Sequence, residues 1–148
     1  MVMKIKTAQA YNDSSLLEEI PNQISDNDIL TYVTTREINW RYINAIKKNT
    51  AFNDEMLSKW LDVSVKTFRS YKNSQVIFKD TIKERILLLY SLVGHGIKVF
   101  GSKKDFETWL NTGNFYFDKK SPNSFLTTVT GMRFVTERLI AMEYGDNV

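Results

Sequence analysis

The chain has 148 residues, of which 43% are hydrophobic and 25% charged, and its formal net charge is +3. These proportions are typical of a folded globular protein and not of a disordered chain. There is no cysteine and a single histidine, which excludes disulfides, thiolate metal sites, thiol nucleophiles and multi-histidine metal sites. We therefore expect no bound metal, no cofactor and no enzymatic activity.

Membrane insertion and secretion are not expected from this sequence. The longest strongly apolar run, residues 86–93, is much shorter than the roughly 20 residues needed to cross a bilayer. The first six residues lack the apolar stretch of a secretory signal. We expect a soluble cytoplasmic protein that makes no membrane contact.

The first part of the chain divides into an arm and two short helices. Residues 1–27 show no sustained hydrophobic period and are predicted to be an N-terminal arm, partly disordered, with at most a short helix at residues 16–20. From Asp28, which is placed to cap the next helix, apolar residues recur at helical spacing. A break near Thr34 and Thr35 separates two helices.

Residues 53–72 predict two short helices joined by a tight turn. Asn53 is an N-cap residue followed by acidic residues in the first turn, and this helix is expected to stop near Leu61. After a short link, Ser64 is expected to cap a second helix. Its inward face is predicted to consist of Val65, Phe68 and Tyr71.

This pair of helices has the pattern of a helix-turn-helix, whose second helix enters the major groove of DNA. The segment is basic, because residues 31–78 carry eight Lys and Arg side chains against four Asp and Glu. A plain solvent-facing polar surface on a helical hairpin would show the same spacing, and that interpretation remains open. The DNA-contact candidates are the outward residues of the second helix: Lys66, Thr67, Arg69, Ser70 and Lys72.

Residues 81–100 are too apolar on every side for a surface helix and are predicted to form the central packing helix. Gly94 and Gly96 each weaken a helix by about 1 kcal/mol, so the helix is expected either to bend there or to end early and restart. Between them, His95 is interpreted as a partly buried or surface structural residue, since the sequence offers no partner for a switch or a ligand role.

The last third predicts further helices around an aromatic loop. A helix opens at Lys103, residues 114–120 form a polar and aromatic loop, Pro122 suits the first turn of another helix, and a final helix spans residues 131–144 until Gly145 ends it. Core positions are assigned to Trp109, Leu110, Leu126, Val135 and Leu139. The fold class expected for the whole chain is all-α.

An ordered series of short motifs runs through this last third. The series begins with a phenylalanine-glycine break at residues 100–101 and a tryptophan-leucine helix end at 109–110. It continues with an asparagine loop at 111–114 that leads to a proline at 122, and it closes with glutamate-tyrosine-glycine at 143–145. This series closely resembles the C-terminal toxin-binding domain of Xre/MbcA/ParS-type antitoxins. In that family the domain follows a helix-turn-helix module, a place that residues 36–98 occupy here.

The resemblance implies an antitoxin of a type II toxin-antitoxin pair. Its partner would be a RES-domain toxin that consumes NAD, inhibited when the antitoxin's C-terminal segment covers the active site. A homodimeric antitoxin within the complex would bind operator DNA and repress its own operon. Loops and termini carry recognition more often than core faces do. The toxin-contact candidates are therefore the loop and tail residues Phe115, Tyr116, Lys119, Lys120, Glu143, Tyr144, Asp146, Asn147 and Val148.

The chain departs from the family pattern within the loop. Family members commonly have proline at the position of Gly113, and two glycines at the positions of Asp118 and Lys119. The loop is therefore expected to have a different shape here.

The expected organisation is an arm at residues 1–27, an Xre-like helix-turn-helix domain at 28–98, and a small helical toxin-binding domain at 99–148. Two functions remain open. The first is the antitoxin described above, and the alternative is a stand-alone helix-turn-helix transcription regulator whose C-terminal domain dimerises or senses a ligand. A toxin reading frame beside the gene would distinguish the antitoxin from the regulator.

Overall fold

The computed structural model describes residues 20–145, and within this range the chain is all-α. The predicted fold class is therefore confirmed. The α-helices are α1 (Asp26–Thr35), α2 (Trp40–Asn49), α3 (Asp54–Trp60), α4 (Val65–Ser70), α5 (Asp80–Phe100), α6 (Lys103–Leu110) and α7 (Val129–Glu143). Two 3-10 helices, Phe115–Phe117 and Pro122–Phe125, lie between α6 and α7.

Side-chain caps define where most of these helices begin. Asn53 and Ser64 cap α3 and α4 as predicted, each accepting a hydrogen bond from the backbone three residues on. The predicted cap of α1 was wrong, because Ser25 is the N-cap. Asp28 is instead the third helical residue, and its carboxylate accepts from the Ser25 N–H at 3.0 Å to complete a capping box.

Helix α5 is the centre of the molecule and packs against α1, α2, α6 and α7. It runs without interruption from Asp80 to Phe100, so of the two expected alternatives at the glycines, a bend or an early end with a restart, the early end was wrong. Gly96 is required for packing, since a Cβ at this position would overlap the ring of buried Phe106 on α6. The glycine thus lets two helices approach closely.

The residues around α5 form one continuous hydrophobic core that extends from Ile20 to Met142. The five core positions assigned in the last third of the chain are all buried. Part of the predicted arm belongs to this core as well, because Ile20 and Ile24 are buried and the Pro21 carbonyl accepts a hydrogen bond from Ser91. The short helix expected at residues 16–20 lies largely outside the described residues.

Polar contacts join the first half of the chain to the second. One guanidinium nitrogen of Arg85, on α5, donates to the Trp60 carbonyl at 3.1 Å and to the Thr127 carbonyl at 2.9 Å. The Ala51 N–H donates to the Glu107 carboxylate at 2.6 Å. The expected boundary at residues 98–99 falls inside α5, and these contacts cross it.

Candidate functional sites

Helices α3 and α4 are joined by a tight turn whose backbone stops α3 abruptly. Asp62 adopts a left-handed conformation with φ 59°. Its N–H donates to the Lys59 carbonyl, and the next N–H, that of Val63, donates to the Ser58 carbonyl. This is the hydrogen-bond pattern of a Schellman motif, which ends a helix and reverses the chain direction. The turn sets the angle at which α4 leaves α3.

The exposed face of α4 carries four of the five predicted DNA-contact residues, and the fifth, Lys72, lies in the turn just after the helix. Phe68 and Tyr71 are buried as expected, whereas Val65 is only half-buried. The hydroxyls of Thr67 and Ser70 make local hydrogen bonds, Thr67 with the Ser64 cap and Ser70 with the Thr67 carbonyl. All five predicted contacts are exposed: Lys66, Thr67, Arg69 and Ser70 on α4, and Lys72 after it.

Asp54, at the start of α3, binds one cation from α2 and one from α4. One carboxylate oxygen accepts from Lys47 Nζ at 2.6 Å, and the other accepts from Arg69 Nε at 3.2 Å. These hydrogen bonds, that of Lys47 first and that of Arg69 second, lower the pKa of Asp54 below its ordinary value of 3.8. Arg69 nevertheless stays 61% exposed. Its guanidinium therefore has a defined position on the surface.

Trp40 lies close to Lys47 and to one further cation, Lys72. The ammonium groups of Lys47 and Lys72 lie 5.8 Å and 5.6 Å from its ring centroid. The same ring packs edge-on against Phe68, the buried residue of α4. Positive charge from α2 and from the turn after α4 thus lies around one aromatic side chain.

The second candidate surface is a closed loop between α6 and α7. The Asn114 N–H donates to the Lys120 carbonyl at 3.2 Å, and the Lys119 N–H donates to the Asn114 carbonyl at 2.8 Å. Inside the loop Phe117 is buried, with its ring 5.2 to 5.9 Å from those of Trp109, Phe125 and Phe134. The loop is therefore held from within and closed across its base.

Two aromatic side chains face outward from this anchored loop. Phe115 is 92% exposed. Tyr116 is 45% exposed and stacks on Phe134, with the guanidinium of Arg138 lying 4.2 Å from its ring centroid. Together with Lys119 and Lys120, which are also exposed, these residues form an aromatic and basic protrusion. We call Phe115, Tyr116, Lys119 and Lys120 the loop surface.

The loop's backbone reflects its unusual sequence. Asp118 and Lys119 have φ values of 56° and 67°, in the left-handed region that glycine adopts most easily. A Cβ at Gly113 would overlap the Lys119 carbonyl oxygen, so a proline at this position would not fit. The chain closes the loop tightly at Gly113 and accepts backbone strain at Asp118 and Lys119.

The remaining contact candidates lie at the end of α7. Tyr144 is 78% exposed, and Gly145 has φ 103° where the helix terminates. The carboxylate of Glu143 is hydrogen-bonded to Nε2 of His95, so it is already engaged within the chain. Asp146, Asn147 and Val148 lie outside the described residues.

His95 itself is fully buried, with 0% exposure, and the expectation of partial exposure was wrong. Its partner could not be found from sequence spacing, because Glu143 is 48 residues away. The sequence contains one clue. A glutamate in the last turn of a helix lies at the negative end of the helix dipole, which is unfavourable, so a hydrogen-bond donor is expected nearby. The anchoring role of Phe117 and the position of Asp54 between two cations were missed as well, because both depend on tertiary packing.

Between residues 20 and 145, no three His, Asp or Glu side chains are grouped so as to hold a metal ion. No helix in the same range is long and apolar enough to cross a membrane.

The geometry defines an all-α protein with a basic helical surface at one place and a closed aromatic loop at another. Residues 95–145 match a family model described as the antitoxin Xre/MbcA/ParS C-terminal toxin-binding domain. The matched segment, roughly a third of the chain, holds the loop surface and all of α7, and it supports an antitoxin of the Xre/MbcA/ParS type. The comparison with curated proteins gave no significant match.

Proposed function

We propose that this protein is the antitoxin of a two-gene toxin-antitoxin pair and binds its toxin through the loop surface and the C-terminal tail. On this proposal the toxin is a RES-domain enzyme that consumes NAD, and the tail covers its active site. The antitoxin acts in the cytoplasm as a homodimer, by binding rather than by catalysis.

The observation that carries the proposal is the exposure of Phe115 on an anchored loop inside the matched segment. A free aromatic ring of this kind is costly to leave in water and gains most from burial in a partner's pocket. Because Phe117 and the Asn114–Lys120 hydrogen bond fix the loop, little conformational freedom is lost when Phe115 binds. Phe115 therefore has the properties of a binding hot spot.

Phe115→Ala tests this role in the full chain. The variant should bind the purified product of the neighbouring reading frame about 30-fold or more weakly, corresponding to roughly 2 kcal/mol for a hot-spot aromatic. Titration calorimetry measures the affinity, and rescue of growth on co-expression gives the cellular readout. Ile77→Ala is the matched control, because Ile77 is 88% exposed but lies outside the matched segment.

Equal affinity of Phe115→Ala and wild type would show that the loop surface is not part of the toxin interface. A neighbouring gene product that is harmless, or that does not bind the wild-type chain, would overturn the antitoxin function. The stand-alone transcription regulator would then be the better account of the chain.

We further propose that α3 and α4 form a DNA-binding helix-turn-helix through which the antitoxin represses its own operon. The proposal is supported by the exposed cations of α4 and by the positive charge gathered around Trp40. Lys66→Ala should weaken binding to duplex DNA from upstream of the gene. It should also reduce the slope of log K against log salt concentration by about one unit for each phosphate that Lys66 neutralises.

Fluorescence anisotropy over a salt series measures this effect. Lys104→Ala is the control, since Lys104 is exposed on α6 and outside the proposed DNA surface. Identical salt dependence in the two variants would show that α4 does not contact DNA phosphates.

A further inference from the structure

A buried polar pair joins the middle of the molecule to the end of α7. His95 lies on α5 with no exposed surface, and its Nε2 is hydrogen-bonded to the carboxylate of Glu143. Its other ring nitrogen, Nδ1, has no hydrogen-bond partner among residues 20–145. A proton is therefore better placed on Nε2, where it is donated to the carboxylate, than on Nδ1, where it would be unsatisfied.

Without His95, the position of Glu143 would be unfavourable. It is the last residue of α7, where the helix dipole is negative, and the last turn of α7 contains no basic residue. Its side chain is also only 34% exposed. The hydrogen bond from His95 offsets both effects, and it fixes the last turn of α7 against α5.

The C-terminal tail begins directly after this last turn. Tyr144 caps α7, Gly145 follows with φ 103°, and the chain then continues to Val148. Any change in the last turn moves Tyr144 and Gly145, because they follow it directly along the backbone. The geometry points to His95 as a positioning residue that, through its hydrogen bond to Glu143, holds the last turn of α7 and the exposed Tyr144 in place for toxin binding, an inference that rests on the proposed function.

His95 makes this inference testable because it is buried and has no surface to offer a partner. A loss of affinity on changing His95 therefore reports orientation, whereas Glu143, which is partly exposed, is also able to touch the toxin. The two roles of Glu143 are separated by a double-mutant cycle between the two residues.

The experiment measures affinity for the purified neighbouring gene product with full-length variants, each checked for cooperative unfolding. His95→Leu and Glu143→Ala should each weaken binding about tenfold, and the double variant should be no weaker than either single one. His95→Gln and Glu143→Gln, which keep a donor and an acceptor, should stay within about threefold of wild type. Glu137→Ala, on the exposed side of α7, is the matched control.

Additive losses, or a loss confined to Glu143→Ala, would overturn the inference and make Glu143 a direct contact. If His95→Leu does not fold, the cycle is run with His95→Asn, whose shorter amide cannot reach Glu143.

A second readout needs no toxin and so distinguishes failure of the inference from failure of the proposed function. Amide hydrogen exchange at residues 140–145 should be about tenfold faster in His95→Leu and Glu143→Ala, with α6 unaffected. Unchanged exchange would overturn the inference even if the wild-type chain binds the toxin. Faster exchange in a chain that binds no toxin would show that the His95–Glu143 pair stabilises the end of α7, but it would contradict a role of the pair in toxin binding.

Discussion

Gly96 shows how a single missing side chain allows two helices to meet. Alanine at this position favours the helix by about 1 kcal/mol, but its Cβ would overlap the buried ring of Phe106. Overpacking a core costs about 1–3 kcal/mol, and overlap with three ring carbons of Phe106 belongs to the upper part of that range, so Gly96→Ala should lower the free energy of unfolding by about 1–2 kcal/mol. Urea denaturation measures the change.

The double variant Gly96→Ala/Phe106→Leu provides the control. Leucine removes the ring that the new Cβ meets, so the alanine should cost much less in that background than in the wild-type chain. A Gly96→Ala protein as stable as wild type would show that the helices are able to separate at this point without loss.

Asp54 should make the free energy of unfolding depend on pH in the acid range. Its lowered pKa means that its carboxylate stabilises the folded state above the ordinary value of 3.8, and that this stabilisation is lost as the pH falls through the folded-state pKa. Asp54→Asn should therefore be less stable than wild type near neutral pH, and the difference should disappear in strong acid.

Urea unfolding of both proteins between about pH 7 and about pH 2 tests this dependence. Asp80→Asn is a suitable comparison, because the Asp80 side chain is 78% exposed and its ion pair with Lys83 is long, at 3.9 Å. A constant difference between Asp54→Asn and wild type at all pH values would show that the ion pairs of Asp54 contribute nothing to stability.

At the scale of elements, the loop between α6 and α7 carries strain at two defined residues. Lys119→Gly should raise the free energy of unfolding by about 0.5–1 kcal/mol, because glycine adopts φ 67° without the steric cost that a side chain has there. Lys120→Gly should instead lower it by about 0.5–1 kcal/mol, since Lys120 does not have a positive φ. Thermal and urea unfolding distinguish these opposite signs.

Local elements of this fold were predictable because their signals are close together in the sequence. Asn53 and Ser64 each bond to the backbone three residues on, so their caps follow from sequence order alone. The same rule failed for α1 because Ser25 and Asp28 are both capping residues, and only the geometry shows which one begins the helix.

Contacts between elements were not predictable in this way. The contact of Gly96 with Phe106 and the hydrogen bond of His95 with Glu143 depend on how α6 and α7 pack on α5. A single sequence gives the apolar face of each helix but not the register in which two faces meet. The candidate loop residues were found from their composition, whereas the anchor at Phe117 required the structure.

At the scale of the whole molecule, Arg85 connects the α3 end of the fold to the segment that precedes α7. Arg85→Met keeps much of the apolar stem but removes both hydrogen bonds, to Trp60 and to Thr127. The free energy of unfolding should fall by about 2 kcal/mol, as expected when a charged donor is removed from backbone carbonyls. Denaturant unfolding measures it, and Lys83→Met, near the start of the same helix, should change stability by less than about 0.5 kcal/mol.

The continuity of α5 also limits where two such proteins can be joined in a chimera. The matched segment begins at His95, in the interior of a helix that starts at Asp80. Recombination at that point would join part of a helix from one protein to part from another, and the hydrogen bond of Arg85 to the Thr127 carbonyl would then have to form across the junction. A chimera that retains one parent's α5 whole, joined in the segment before Asp80, keeps the Arg85–Thr127 hydrogen bond within one parent, and only the bond of Arg85 to Trp60 then crosses the junction.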